Sequence, residues 1–140
     1  MTVLIDTNVV MDVVFNNAKL ADGSRAILDH AEQKRFIGYI SASAITDIFY
    51  LSQKRLGKKV AKEVLTELLQ VFKPATVTDS HIYQALDLDW SDFEDSVQFV
   101  VGDGLAVDYI VTRNTHDFSS SSIPAVTPEQ FIETIVDSES

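Results

Sequence analysis

Four aspartates stand where a carboxylate could do chemistry. Asp6 directly follows the apolar run Val3-Leu-Ile5. Asp47 lies in the first turns of a helical stretch behind a second β-prone run at 36–40. Asp95 stands near the start of another helical stretch, and Asp117 lies five residues past the β-prone run that ends at Thr112. If those runs are parallel strands, all four carboxylates can converge on one rim, because ligands in such sheets gather outside the carboxyl ends of the strands. Two carboxylates ~4 Å apart repel by about 4 kcal/mol at an effective dielectric of ~20. A cluster of four therefore persists only where protons or a cation offset the repulsion, and oxygen-only ligands favour a hard ion, Mg2+ or Mn2+. Each acid also has an ordinary role open to it. Asp6 can cap a helix, Asp47 can be a solvated helix residue, Asp92 and Asp95 sit at a helix start where the dipole favours acids, and Asp117 can be a turn residue.

The elements that must position these acids are legible as alternating runs. Strands are expected at Val3–Ile5, Phe36–Ile40, Ala75–Thr78 and Tyr109–Thr112, with a short last one at Ala125-Val126. Helices are expected over Val9–Phe15, over 21–35 with Asp22 and Ser24 as possible caps, from Ser43 to Leu56, from Lys58 past Leu68, over His81–Leu88, and from Phe93 onward. Gly57 separates two of them. Ser91-Asp-Phe-Glu94 matches a capping box, Arg113–Ile123 reads as a polar loop, and Thr127-Pro128-Glu129 opens a last helix through Val136, with 137–140 a short tail. Strands separated by helices imply an α/β fold: a three-layer α/β/α sandwich around a mainly parallel sheet, one domain over 1–136.

The chain has 140 residues, 46% of them hydrophobic and 23% charged, an ordinary composition for a globular domain with one core. Cysteine is absent, which rules out a disulfide framework and any thiolate metal site. No apolar run approaches the ~20 residues of a membrane span, and no basic segment precedes an apolar stretch at the start, so a soluble cytoplasmic protein is expected. Eleven basic residues against 21 acidic ones give a net charge of −10. That weighs against nucleic-acid binding by bulk electrostatics, but not against an enzyme whose carboxylates hold a cation that meets the phosphate.

Four segments, in order, resemble the successive motifs of PIN domains: Val3-Leu-Ile-Asp-Thr-Asn-Val9, Ser43-Ala-Ile-Thr-Asp47, Asp92-Phe-Glu-Asp95 and Ile110-Val-Thr-Arg-Asn-Thr-His-Asp-Phe118. The first and last are the specific ones. The resemblance implies an α/β/α sandwich that acts as a Mg2+- or Mn2+-dependent ribonuclease. Many bacterial members are VapC-type toxins silenced by a small cognate antitoxin, and homodimers are common. Carried over by position, it implies Asp6, Asp95 and Asp117 as metal ligands, Asp47 as the second acidic catalytic position, and Asn8, Thr112 and Asn114 as polar supports. The chain departs from the pattern in two places. Asp47 is one methylene shorter than the usual glutamate, and Gly102-Asp-Gly104 predicts an early end to the helix after Asp95.

The remaining signals are weaker. His30, His81 and His116 share no ligand spacing. Arg113 at the rim could meet a phosphate or be a solvated loop residue. Lys54, Arg55, Lys58, Lys59 and Lys62 form the one basic cluster, either an RNA contact or a solvated helical face. Trp90 reads as core. Besides the ribonuclease reading, two alternatives stay open: a PIN-fold binding module whose acids no longer assemble a working site, and a metal-dependent phosphatase of another α/β family.

Overall fold

A computed structural model describes residues 1–15 and 21–139. Five strands, β1 (Thr2–Ile5), β2 (Ile37–Ser41), β3 (Lys73–Ala75), β4 (Tyr109–Val111) and β5 (Ala125–Val126), form one sheet in the order β3-β2-β1-β4-β5. Every neighbouring pair is parallel. Val3, Leu4 and Ile5 have no solvent exposure, as a continuous apolar run in a strand covered on both faces requires.

The helices are α1 (Thr7–Val14), α2 (Ala21–Glu32), α3 (Ala42–Leu56), α4 (Lys58–Val71), α5 (Asp79–Asp87), α6 (Phe93–Gly104) and α7 (Pro128–Glu139). The pleat sends alternate residues to opposite faces. Val3, Ile5, Ile40 and Val111 pack with Val10, Ile27, Ile48, Leu68 and Phe131 from α1, α2, α3, α4 and α7. Leu4 and Ile110 face the other way, toward Val107, Phe118 and Ile123, while Ala75 joins Ala85 of α5 and Val97 and Val101 of α6 on that side. The three-layer α/β/α arrangement is thus present. From β1 the chain steps outward through β2 to β3, then returns to place β4 on the far side of β1. Reversing the direction of travel puts the crossover helices α5 and α6 on the opposite face and opens a crevice between the carboxyl ends of β1 and β4.

Several local expectations shift. The third strand lies at 73–75 rather than 75–78 and includes Pro74, which is tolerated because β3 is an edge strand paired only with β2. Thr78 instead caps α5: its hydroxyl accepts from His81 N–H and His81 Nδ1 accepts from Thr78 N–H, which gives that histidine a structural role. The cap of α6 is Asp92 rather than Ser91. α6 does not stop at Gly102. A Cβ there would lie 3.2 Å from Val107 Cγ2, so the glycine lets the helix approach the strand-side core. Val60 and Leu86 are exposed. The 113–123 loop contains a 3₁₀ turn at Thr115–Phe118. α7 runs to Glu139, through most of the expected tail, while Ser140 lies outside the described residues. Trp90 is half-buried and packs on Phe99 and Phe118. No helix among the described residues is long and apolar enough to cross a membrane.

Candidate functional site

Asp6 leaves β1 and occupies the cap position of α1, yet its side chain makes no capping bond. Its Oδ2 accepts from Thr112 Oγ1 at 2.8 Å, and its Oδ1 accepts from Gln98 Nε2 at 3.1 Å. The carboxylate is therefore held by the strand on the other side of the crevice and by α6, and it is only 7% exposed. Thr112 Oγ1 in turn accepts from Asn114 N–H at 3.0 Å and from Asn8 Nδ2 at 3.4 Å. Asn8 Oδ1 accepts from Arg113 N–H at 3.2 Å. All three expected polar supports thus stand in one hydrogen-bonded chain that joins the start of α1 to the exit of β4.

The other expected acids line the same cleft, a cavity of ≈ 580 Å³ whose wall includes Asp6, Asp47, Asp92, Glu94, Asp95 and Asp117. Asp47 comes from the second turn of α3, which Ser41 caps by accepting from Ala44 N–H. Asp95 comes from the first turn of α6, held by Asp92, whose carboxylate accepts from Asp95 N–H at 3.0 Å. Asp92 thus takes its ordinary role as a cap while still facing the cleft. Asp117 comes from the 3₁₀ turn and is exposed.

Crowding these groups changes their protonation. Burial and the charges of Asp92, Asp6, Asp117 and Glu94 push the Asp95 carboxyl up to about 7. Glu94 keeps much of its surface in solvent, but desolvation of its carboxyl is the largest influence on it. The Asp47 charge and a hydrogen bond to Asp47 come next, and together they also raise it to about 7. A hydrogen bond between two carboxyls requires a proton on one of them. The cleft therefore holds more negative charge than it can leave unprotonated. Among the described residues, no three carboxylate or imidazole side chains close on a common point as a preformed coordination set.

Several participants are not visible from the sequence motifs. Glu94 reads there only as a cap residue. Gln98 is buried with its Oε1 lacking a hydrogen-bond partner among the described residues, as does Thr7 Oγ1 on the cleft wall. Helical spacing was the available signal, since Gln98 lies three residues past Asp95 and four past Glu94. Arg113 is not aimed at the cleft. Its Nε donates to Asp12 Oδ2 at 2.9 Å, one terminal nitrogen donates to both Glu129 oxygens at 2.7 Å, and the other donates to Ser24 Oγ at 3.0 Å. Burial alone would lower its pKa, but these carboxylates outweigh that and raise it.

The PIN domain model matches residues 2–116. No curated protein matches at a significant level. Among solved structures, VapBC2 from Rickettsia felis, bound to a promoter DNA fragment, is similar with a TM-score of 0.71 and 15% identity, covering 90% of this chain and 97% of that one. FitAcB from Neisseria gonorrhoeae is similar with a TM-score of 0.69 and 18% identity, over 91% and 98% of the two chains. Mycobacterium tuberculosis VapC20, described as a toxin that cleaves the sarcin-ricin loop, gives a TM-score of 0.63 and 15% identity over 77% and 86%.

Proposed function

This chain belongs to the PIN domain family, and from that premise we propose that it is a Mg2+- or Mn2+-dependent endoribonuclease, the toxin of a toxin–antitoxin pair, working in the cytoplasm. The observation that carries the reading is the gathering of six carboxyl groups at the crevice between β1 and β4, with Asp6 held by Thr112 and Gln98. The donor set is all oxygen, which suits a hard divalent cation. The unpartnered Thr7 Oγ1 leaves a polar atom without a partner on the cleft wall, and crowding and burial raise the Glu94 and Asp95 carboxyls to about 7, both of which a bound cation would relieve. Asp6, Asp95 and Asp117 would hold the ion, with Asp47 and Glu94 behind them.

When bound, such an ion supplies a water of lowered pKa and neutralises charge that builds on the scissile phosphate. The chain's own part is positioning. Thr112 and Gln98 each use one lone pair of an Asp6 oxygen and leave others free. Asp92 fixes the first turn of α6 and hence Asp95, while the Glu94–Asp47 pair can take up or release a proton beside the cleft. The antitoxin part of the proposal is supported by the similarity to a solved toxin–antitoxin complex from Klebsiella pneumoniae, with a TM-score of 0.66 and 18% identity. A homodimer is part of the same proposal.

The test pairs calorimetric titration of Mn2+ and Mg2+ with cleavage of total RNA. The expected result is saturable metal binding that disappears in Asp95→Asn, and metal-dependent cleavage that falls by about 100-fold or more in Asp6→Asn and in Asp95→Asn while circular dichroism is unchanged. Undiminished turnover in both purified variants would sink the assignment. Absence of metal binding at millimolar concentration would favour the binding-module reading.

A further inference from the structure

The cleft wall is not all acidic. It also carries the apolar side chains Met11, Phe15, Tyr50 and Leu51. Tyr50 is 73% exposed, a large ring presented at the mouth of a hydrolytic site. A second cavity shares Asn8, Met11 and Phe15 with the first and adds Arg55, so the cleft continues past Phe15. Arg55 lines that continuation, its guanidinium 4.5 Å from the Phe15 ring centre.

Arg55 belongs to the only strongly basic stretch of the chain, which opens with Lys54. Residues 48–62 contain Lys54, Arg55, Lys58, Lys59 and Lys62 and no acid, whereas the rest of the chain sets six basic residues against all 21 acidic ones. All five are exposed. Local stability does not account for them. Lys54 and Arg55 suit the last turn of α3, but α4 starts with Lys58 and Lys59 and has no acid in its first turn, where the helix dipole disfavours cations. Arg113, the other basic group near the crevice among the described residues, is already held by Asp12 and Glu129.

Resting on the ribonuclease reading, we propose that single-stranded RNA leaves the acid cleft across Tyr50, which stacks on its bases, and past the Arg55–Phe15 pair, and that its phosphates then lie on the Arg55–Lys62 ridge. Rings that alternate with cations hold unpaired strands, because every base offers a face for stacking and every linkage offers a phosphate. A duplex hides its base faces and does not fit that wall. The ridge also resolves the mismatch between a net charge of −10 and a polyanionic substrate: attraction is confined to one stretch beside the site.

The test is fluorescence anisotropy of a labelled single-stranded oligouridylate, titrated with the full chain carrying Asp95→Asn in millimolar Mg2+ so that the strand is not consumed. Adding Lys58→Ala, Lys59→Ala and Lys62→Ala together is expected to weaken binding by about tenfold or more and to flatten the log–log salt slope by about 2. Tyr50→Ala is expected to weaken binding by about tenfold with the salt slope unchanged. Affinity of the triple variant within about twofold of the parent overturns the ridge. Polyglutamate bound as tightly as RNA, with no effect of Tyr50→Ala, overturns it in favour of an acidic protein partner. Cleavage by the unsubstituted chain is scored separately. Ridge-dependent RNA binding without cleavage refutes the nuclease reading and supports the RNA path.

Discussion

Arg113 shows how far a single residue can be read in isolation. Its place after β4 leaves a phosphate contact or a solvated loop open, and the structure gives it neither role. Its guanidinium ties Asp12 of α1, Ser24 of α2 and Glu129 of α7 together, and its backbone N–H orients Asn8. The two carboxylates differ in worth. The Asp12 side chain is 11% exposed and the Glu129 side chain 53%. Arg113→Ala strands a buried carboxylate and is expected to cost about 3–5 kcal/mol in urea unfolding, whereas Glu129→Ala removes a screened partner and is expected to cost at most about 1 kcal/mol. Equal costs would show that the buried pair is not what matters. Nothing in local sequence announces this cluster, because its hydrogen-bonded side chains lie 12 to 101 residues apart. The meeting of Asp6, Asp47, Asp95 and Asp117 at one cleft was legible, since each lies past a strand or in the first turns of a helix. Glu94 was not, because its significance depends on Asp47 across the cleft.

At the scale of elements, periodicity located the helices and strands, and the misplacements have local causes. Thr78 reads as β-prone but serves as a cap. Val60 follows the apolar stripe of α4, but in that first turn it is Ala61 that turns inward and is fully buried. The α3–α4 break was legible for a physical reason. Gly57 has φ +90, and a Cβ placed on it would have nothing within 4 Å, so the demand is on backbone conformation alone. Gly57→Ala is expected to destabilise by about 1–3 kcal/mol, because a positive φ with ψ 160 is a conformation essentially confined to glycine, read as a lower urea midpoint at unchanged slope. No change would mean that the two helices re-join without a positive φ.

For the molecule as a whole, the crowded carboxyls make stability depend on pH. Folded Asp95 and Glu94 titrate near 7, above the ordinary carboxyl range, so the folded chain binds protons that the unfolded chain releases. Stability from this source is complete below about pH 4 and is lost as pH rises through about 7. The melting temperature of the metal-free chain is therefore expected to fall between about pH 5 and about pH 8, to fall less in Asp95→Asn, and to recover at the higher pH on addition of Mn2+. A melting temperature that holds level or rises over that interval in EDTA would contradict the crowding. Glu129 acts with the opposite sign: burial pushes its carboxyl up, but Arg113 outweighs this and lowers it, so its contribution is lost on acidification.

The rims of the sheet carry a separate consequence. β3 has three residues, one of them Pro74, which has no N–H to offer, and β5 has two. A parallel sheet with such blunt margins gives a neighbouring molecule almost no backbone to extend, which suppresses edge-to-edge aggregation. Self-association of this protein is thereby left to side-chain contact between helical surfaces rather than to a sheet continued from one copy into the next.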